Sequence, residues 1–275
     1  MPWEPIKLNS GHYMPSIAFG TWKTGNGQGP VDQVKQALGN GYNHIDTAQA
    51  YKNEEETGIA LKETELSRSD VFVTTKYSGT NGLDIPTSIK NSLNNLGLSD
   101  VDLYLVHAPR LAVPDMPTCW AQMEKVQDDG LAKSIGVSNF GVKDMEALIA
   151  CARIKPTVNQ ILLHPYVYQQ QKPILEYAAK NGIVIEAYSA LIPITKSPGG
   201  PLDKPLNEIA AKFGATTEQI LMAWTKAKGA VVVTSSSKRT RLQGYIAAGD
   251  ITLSPEDIAA IDAAGALGEE KEKET

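Results

Sequence analysis

The feature that most constrains this 275-residue chain is the regular exchange of two apolar periodicities. Short apolar runs at residues 17–22, 43–47, 71–76, 101–107, 132–138, 157–160, 183–188 and 230–233 read as strands. Between them, residues 31–39, 54–63, 85–96, 116–129, 142–150, 173–180, 205–212 with 217–228, and 238–248 carry apolar side chains at helical spacing. Several runs are apolar throughout, as parallel strands covered on both faces require. Eight strand–helix units without a linker predict an α/β fold, a closed (β/α)8 TIM barrel forming one domain over residues 1–275. Asn9-Ser10-Gly11 between short apolar pieces predicts an N-terminal β-hairpin within residues 1–15. Beyond the barrel, extra C-terminal helices are expected. Ser254-Pro255-Glu256-Asp257 carries the serine cap, first-turn proline and acids of a helix start. The Glu/Lys-rich segment 268–275 reads as a frayed tail. An open dinucleotide-binding sheet would show Gly-x-Gly-x-x-Gly after its first strand; Gly25, Gly27 and Gly29 lack that spacing.

Composition narrows the partners. With 26 basic and 31 acidic side chains the net charge is −5, which disfavours nucleic acid and anionic membrane surfaces. No apolar run is long enough to span a bilayer. The first residues lack the basic and apolar regions of a signal peptide. The two cysteines, Cys119 and Cys151, suit a reducing compartment. A cytoplasmic soluble protein is the expectation, and no Cys/His cluster has metal-ligand spacing.

In a barrel of this kind the C-terminal ends of the strands face the active site. Three successive strands end near ionisable residues: Asp46, Lys76 and His107. Tyr51 follows in the loop after Asp46. A buried lysine beside an aspartate stays charged, and its charge should lower the pKa of a neighbouring tyrosine. Such a phenol can hand a proton to a carbonyl oxygen while a histidine orients that oxygen. Singly, each residue has a plainer role, as a turn, cap or solvated side chain. Together at corresponding barrel positions they point to a site.

These residues sit in longer motifs: Gly20-Thr21-Trp22, the segment 41–55, Thr74-Thr75-Lys76, the segment 100–107, Ile135-Gly136-Val137-Ser138-Asn139-Phe140, Val158-Asn159-Gln160 and Glu186-Ala187-Tyr188-Ser189. On these the chain resembles the aldo-keto reductases over nearly its whole length. Thr75-Lys76-Tyr77-Ser78 and the segment 233–238 look most like the fungal α-keto amide and conjugated polyketone reductases of that family. The resemblance implies a barrel that binds NADPH/NADP+ across its mouth, with a catalytic tetrad of Asp46, Tyr51, Lys76 and His107 and Tyr51 as general acid. It implies cofactor contacts from Gly20, Thr21, Asp46, Ser138, Asn139, Gln160, Tyr188, Ser189 and Leu191. Tyr188 would stack on the nicotinamide, and Ser138, Asn139 and Gln160 would bind its carboxamide. After the last strand, Ser235, Ser236, Ser237, Lys238 and Arg241 open a helix, an arrangement suited to the 2′-phosphate. Trp22 and Tyr77, with Tyr51 and His107, are expected to wall the substrate.

The chain departs from its relatives in places. Ser235 stands where many have lysine, Gly244-Tyr245 replaces a Glu-Asn pair near adenine, and Ala108 replaces a tryptophan after the histidine. Short loops around the mouth then predict an open pocket for bulky or cyclic dicarbonyls. The activity expected is NADPH-dependent reduction of ketones or aldehydes, among them α-keto amides, α-keto esters, ketolactones and polyketones. Two alternatives stay open: a redox-inactive nucleotide-binding regulatory subunit of the same fold, and an unrelated barrel hydrolase or isomerase using Asp46 and His107.

Overall fold

The computed structural model describes residues 3–272. A two-stranded antiparallel hairpin opens the chain, β1 (Ile6–Lys7) against β2 (Tyr13–Met14). Eight parallel strands follow and close into a barrel. They are β3 (Ile17–Gly20), β4 (His44–Asp46), β5 (Phe72–Tyr77), β6 (Val101–Val106), β7 (Ala132–Ser138), β8 (Val158–Leu162), β9 (Val184–Tyr188) and β10 (Val231–Thr234). Each pairs with its neighbour in sequence, and β10 pairs with β3 to complete the ring. Closure leaves no barrel strand with an unpaired edge. The expected (β/α)8 barrel and the hairpin are both present.

Helices α1 (Gln28–Leu38), α2 (Glu54–Lys62), α3 (Ile85–Leu96), α4 (Met116–Asp128), α5 (Val142–Cys151) and α6 (Tyr168–Asn181) cover the first six strands. A single turn α7 (Ile192–Thr195), then α8 (Asp203–Phe213), α9 (Thr217–Ala227), α10 (Arg239–Ala247) and α11 (Pro255–Glu272) complete the layer. Two boundaries differ from expectation. Pro173 reads as a helix start but lies inside α6, which begins at Tyr168. The helix α11 continues through Gly268 to Glu272, so the first part of the expected frayed tail is helical; residues 273–275 lie outside the described residues.

The hairpin closes one end of the barrel. Leu8 and Met14 are buried with Phe72, Leu103, Leu105, Val158 and Val231, most of them interior positions of the strands. Asn9 donates to the carbonyls of Pro156 and Gly182, and the hydroxyls of Ser10 and Ser134 pair, beside the starts of β7, β8 and β9. That end is plugged, so access to the interior comes from the opposite, C-terminal end of the strands.

Alternation along each strand sorts the remaining side chains. His44 and Asp46 share the inner face of β4, Thr74 and Lys76 that of β5, and Glu186 and Tyr188 that of β9. Tyr77 must therefore point outward, towards the helical layer. The helices are held close to one another: an added Cβ at Gly58 in α2 would lie 2.6 Å from the carbonyl oxygen of Leu96 in α3. Alanine would favour the helix by about 1 kcal/mol, but contact with rigid backbone should cost about 1–3 kcal/mol. Gly58→Ala is therefore expected to lower the denaturant midpoint, and an unchanged or higher midpoint would show that the helices separate freely.

Candidate active site

At the open end of the barrel lies a cavity of about 570 Å3. Lys76 is the residue on which its floor is built. Its ammonium is wholly buried, 2.6 Å from Asp46 Oδ1 and 2.9 Å from the Thr47 carbonyl oxygen, and it reaches the Tyr51 hydroxyl at 3.4 Å. Burial alone would strip the lysine of its charge. Attraction to and hydrogen bonding with Asp46, together with Tyr51 and Glu186, outweigh it, and the Lys76 pKa ends above the ordinary lysine value. A second hydrogen-bonded arm runs across the interior. The Gln160 amide nitrogen donates to Asp46 Oδ2 at 2.8 Å and to Glu186 Oε2 at 2.7 Å. Two carboxyl neighbours fix which end of that amide is nitrogen.

Tyr51 stands edge-on to His107, with ring centroids 5.6 Å apart at 74°. Here one expectation fails. The Tyr51 pKa is raised, because burial outweighs the lowering by Lys76. The phenol keeps its proton, and Lys76 moderates a raised pKa instead of producing a low one. Burial, helped by the Lys76 charge, lowers the His107 pKa to about 4, so its imidazole is neutral near pH 7.

Asp46, Tyr51 and His107 line the cavity with Gly20, Ser138, Asn139, Gln160, Tyr188, Ser189, Leu191, Ser235 and Trp22. The Tyr188 hydroxyl donates to Asn139 Oδ1 at 2.8 Å, and Asn139 Nδ2 donates to the His107 carbonyl at 3.0 Å. That pair fixes the Tyr188 ring at the cavity wall. Asn139 and Ser189 both hold left-handed backbone, at φ 61° and 63°, a conformation that concentrates at functional sites. Ser138 donates its hydroxyl to the Gln160 carbonyl.

Other expected residues lie off the cavity wall. Tyr77 is a correction: it is buried on the outer face of β5, with its hydroxyl donating to the Leu83 carbonyl, and does not wall the cavity. Thr21 is buried too, its hydroxyl donating to Asn53 Oδ1 and lying 2.9 Å from the Thr47 hydroxyl, and so it braces the loop after β4. Ser236, Ser237, Lys238 and Arg241 sit outside the cavity lining, around the start of α10. Lys238, Arg239 and Arg241 are exposed there, beside backbone N–H groups that the first turn leaves free.

Sequence reasoning gives no role to Ala50, Thr195, Met222 and Val233, which line the cavity. Nor does it give one to Glu186, buried at the base. An acid in the middle of an otherwise apolar strand is the available signal. Burial and the nearby Asp46 push the Glu186 pKa up to about 8. Its Oε1 lies 3.8 Å from His44 Nε2.

The comparisons agree with this geometry. Residues 16–266 match the model of the Aldo/keto reductase family. The chain is 39% identical to an NAD/NADP-dependent indole-3-acetaldehyde reductase of Schizosaccharomyces pombe, over 89% of this chain and 86% of the relative. It is 37% identical to a glyoxal reductase of Bacillus subtilis, over 94% of this chain and 92% of the relative. A solved aldo-keto reductase complexed with NADPH superposes with a TM-score of 0.87 at 30% identity, over 95% of this chain and 87% of that one. The chain belongs to the aldo/keto reductase family. Among the described residues no helix is long and apolar enough to cross a membrane, and no group of three or more His, Cys, Asp or Glu could hold a metal.

The buried histidine of β4 yields a pH prediction. Burial pushes the His44 pKa down to about 4 from the ordinary 6.5. The unfolded chain takes up that proton before the folded one does, so stability present above pH 6.5 is lost as pH falls towards 4. The loss at this site should approach roughly 3 kcal/mol. Chemical denaturation from pH 7 to 4 should show a shallower decline for His44→Gln than for the wild type. Identical slopes would contradict a buried neutral imidazole.

Proposed function

We propose that the chain is an NADPH-dependent carbonyl reductase in which Asp46, Tyr51, Lys76 and His107 are the catalytic residues. The observation that carries this reading is the contact between the Lys76 ammonium and the Tyr51 hydroxyl at the rim of the cavity. Bound NADPH supplies a hydride to the carbonyl carbon. Tyr51 donates its proton to the carbonyl oxygen as negative charge develops there. Lys76, held charged by Asp46, stabilises the phenolate left behind, which lowers the barrier to that transfer. His107, neutral, donates a hydrogen bond to the same oxygen.

The cavity has the donors and acceptors that a nicotinamide needs. Gln160 commits its amide hydrogens to Asp46 and Glu186, leaving Oε1 to accept from a carboxamide nitrogen. Tyr188, clamped through Asn139, offers a ring face for stacking. Gly20 lets the backbone stay close: an added Cβ would lie 3.0 Å from Val233. Ser189, Leu191 and Ser235 continue the wall, and Ser236, Ser237, Lys238 and Arg241 serve the 2′-phosphate through hydroxyls, helix N–H groups and positive charge. All these groups belong to one chain, which suits a single-domain monomer. Two thiols and a reduced nicotinamide suit a cytoplasmic setting.

For the substrate, we favour activated aldehydes and ketones such as α-dicarbonyls. Relatives named for glyoxal, methylglyoxal and indole-3-acetaldehyde reduction support the class. An exposed Trp22 at the cavity wall leaves room for α-keto amides or ketolactones. A regulatory role without turnover gives the Lys76–Tyr51 contact no purpose.

NADPH oxidation followed by absorbance with a panel of aldehydes and dicarbonyls tests the reading. Tyr51→Phe should lower kcat for methylglyoxal by at least about 100-fold while NADPH binding persists. Retained turnover would refute the assignment of the acid. Arg241→Ala should weaken NADPH by about tenfold or more and leave NADH nearly unchanged. Equal losses for both nucleotides would remove the 2′-phosphate role.

A further inference from the structure

Ser78 follows directly on the outward-facing Tyr77, and its hydroxyl returns to the site. Its Oγ lies 2.9 Å from His107 Nδ1. It also accepts the backbone N–H of Ala50 at 3.3 Å, one residue before Tyr51. The serine is itself fixed: its N–H donates to Gln49 Oε1 at 3.1 Å, and Gln49 Nε2 donates to Ser88 Oγ at 3.3 Å. None of these contacts belongs to the catalytic roles of the tetrad.

We propose that Ser78 is a positioning residue whose hydroxyl selects the tautomer of His107, so that Nε2–H and not a bare nitrogen faces the carbonyl to be reduced. The inference rests on the reductase reading for its catalytic consequence, but its structural core is independent of it. A neutral imidazole carries one N–H, and the partner of the other nitrogen decides which. Ser78 Oγ has one hydrogen to give. Ala50 N–H occupies one lone pair; were the other to accept from Nδ1–H, the hydroxyl hydrogen would be left to the Lys76 carbonyl. The Lys76 carbonyl lies 3.5 Å away, at the limit of a hydrogen bond, whereas Nδ1 lies at 2.9 Å. The hydroxyl therefore donates to Nδ1, and the ring proton resides on Nε2. With Nδ1 turned to Ser78, the opposite ring edge is left for the cavity that His107 lines.

A reversed tautomer would set a nitrogen lone pair against the oxygen lone pairs of a carbonyl, which repels the substrate in the geometry that Tyr51 needs. Burial reinforces the need for selection, because it keeps His107 neutral across the working pH range. A protonated imidazole would donate from both nitrogens and need no selector. Through Ala50, the same hydroxyl ties the loop that carries Tyr51 to the ring that shares its substrate. Loss of Ser78 should thus affect the chemical step more than cofactor binding.

The test is a nitrogen-15 correlation spectrum of the imidazoles in the full chain with NADP+ bound, alongside turnover of methylglyoxal. His107→Asn identifies the His107 signals among the four histidines. The wild type should show Nδ1 unprotonated and Nε2 protonated. Ser78→Ala should shift both signals towards a mixture of tautomers and lower kcat about tenfold, with the dissociation constant for NADPH unchanged. Ser78→Thr, which keeps the hydroxyl, should restore both. A wild-type ring protonated on Nδ1, or an unchanged tautomer in Ser78→Ala, would overturn the proposal. Should that variant fail to fold, the wild-type spectrum still decides. The spectra require no turnover, so an inactive wild type would refute the reductase reading while leaving the tautomer result intact.

Discussion

An ammonium group with no exposure to water, held 2.6 Å from a carboxylate, is the constraint around which this barrel is arranged. Removing two charges from water is costly, and such a pair persists only where further hydrogen bonds complete it. Here the Thr47 carbonyl and the Gln160 amide do so. Each partner is delivered by a different element: Asp46 from β4, Lys76 from β5, Gln160 from β8 and Glu186 from β9. Barrel closure brings these four inner faces together, so the fold and the charged pair are one arrangement. The hairpin contributes by sealing the far end, which keeps the pair out of water from below and leaves one approach to Tyr51.

Low polarity at the site acts in two directions. It strengthens the pull of Lys76 on any charge that forms on Tyr51. It also holds the free phenol and the His107 imidazole neutral. In the proposed role, Tyr51 is an acid neutral at rest and stabilised only once it has lost its proton, which favours the transition state over the ground state. Glu186 belongs to the same balance. A second full negative charge beside Asp46 would compete for Lys76, and the raised Glu186 pKa keeps that charge partly suppressed near neutral pH.

Much of this is legible in the amino-acid sequence, for identifiable reasons. Apolar runs locate the strand ends, and that suffices to place Asp46, Lys76 and His107 at one end of the barrel. What the sequence hides depends on direction or on summation. Tyr77 adjoins Lys76 and so reads as a pocket wall, but period-two alternation turns it to the helices. The nearest charge to Tyr51 argues for a lowered pKa, whereas burial, which has no local signature, sets the sign. Pro173 resembles a helix start, yet α6 begins a turn earlier. Glu186 stands in a recognisable motif but shows no role there, since its partners Gln160 and His44 are distant in sequence. Ser78 meets His107 only because β5 and β6 end side by side.

The charge on Lys76 should lower the cost of ionising Tyr51. Ultraviolet difference titration of that phenol with NADP+ bound measures the effect, with Tyr51→Phe as the subtraction reference for the other tyrosines. The titration is run in the wild type and in Lys76→Met. Tyr51 should ionise at a higher pH once the ammonium is gone. The same midpoint in both proteins, or a lower one in Lys76→Met, would contradict it.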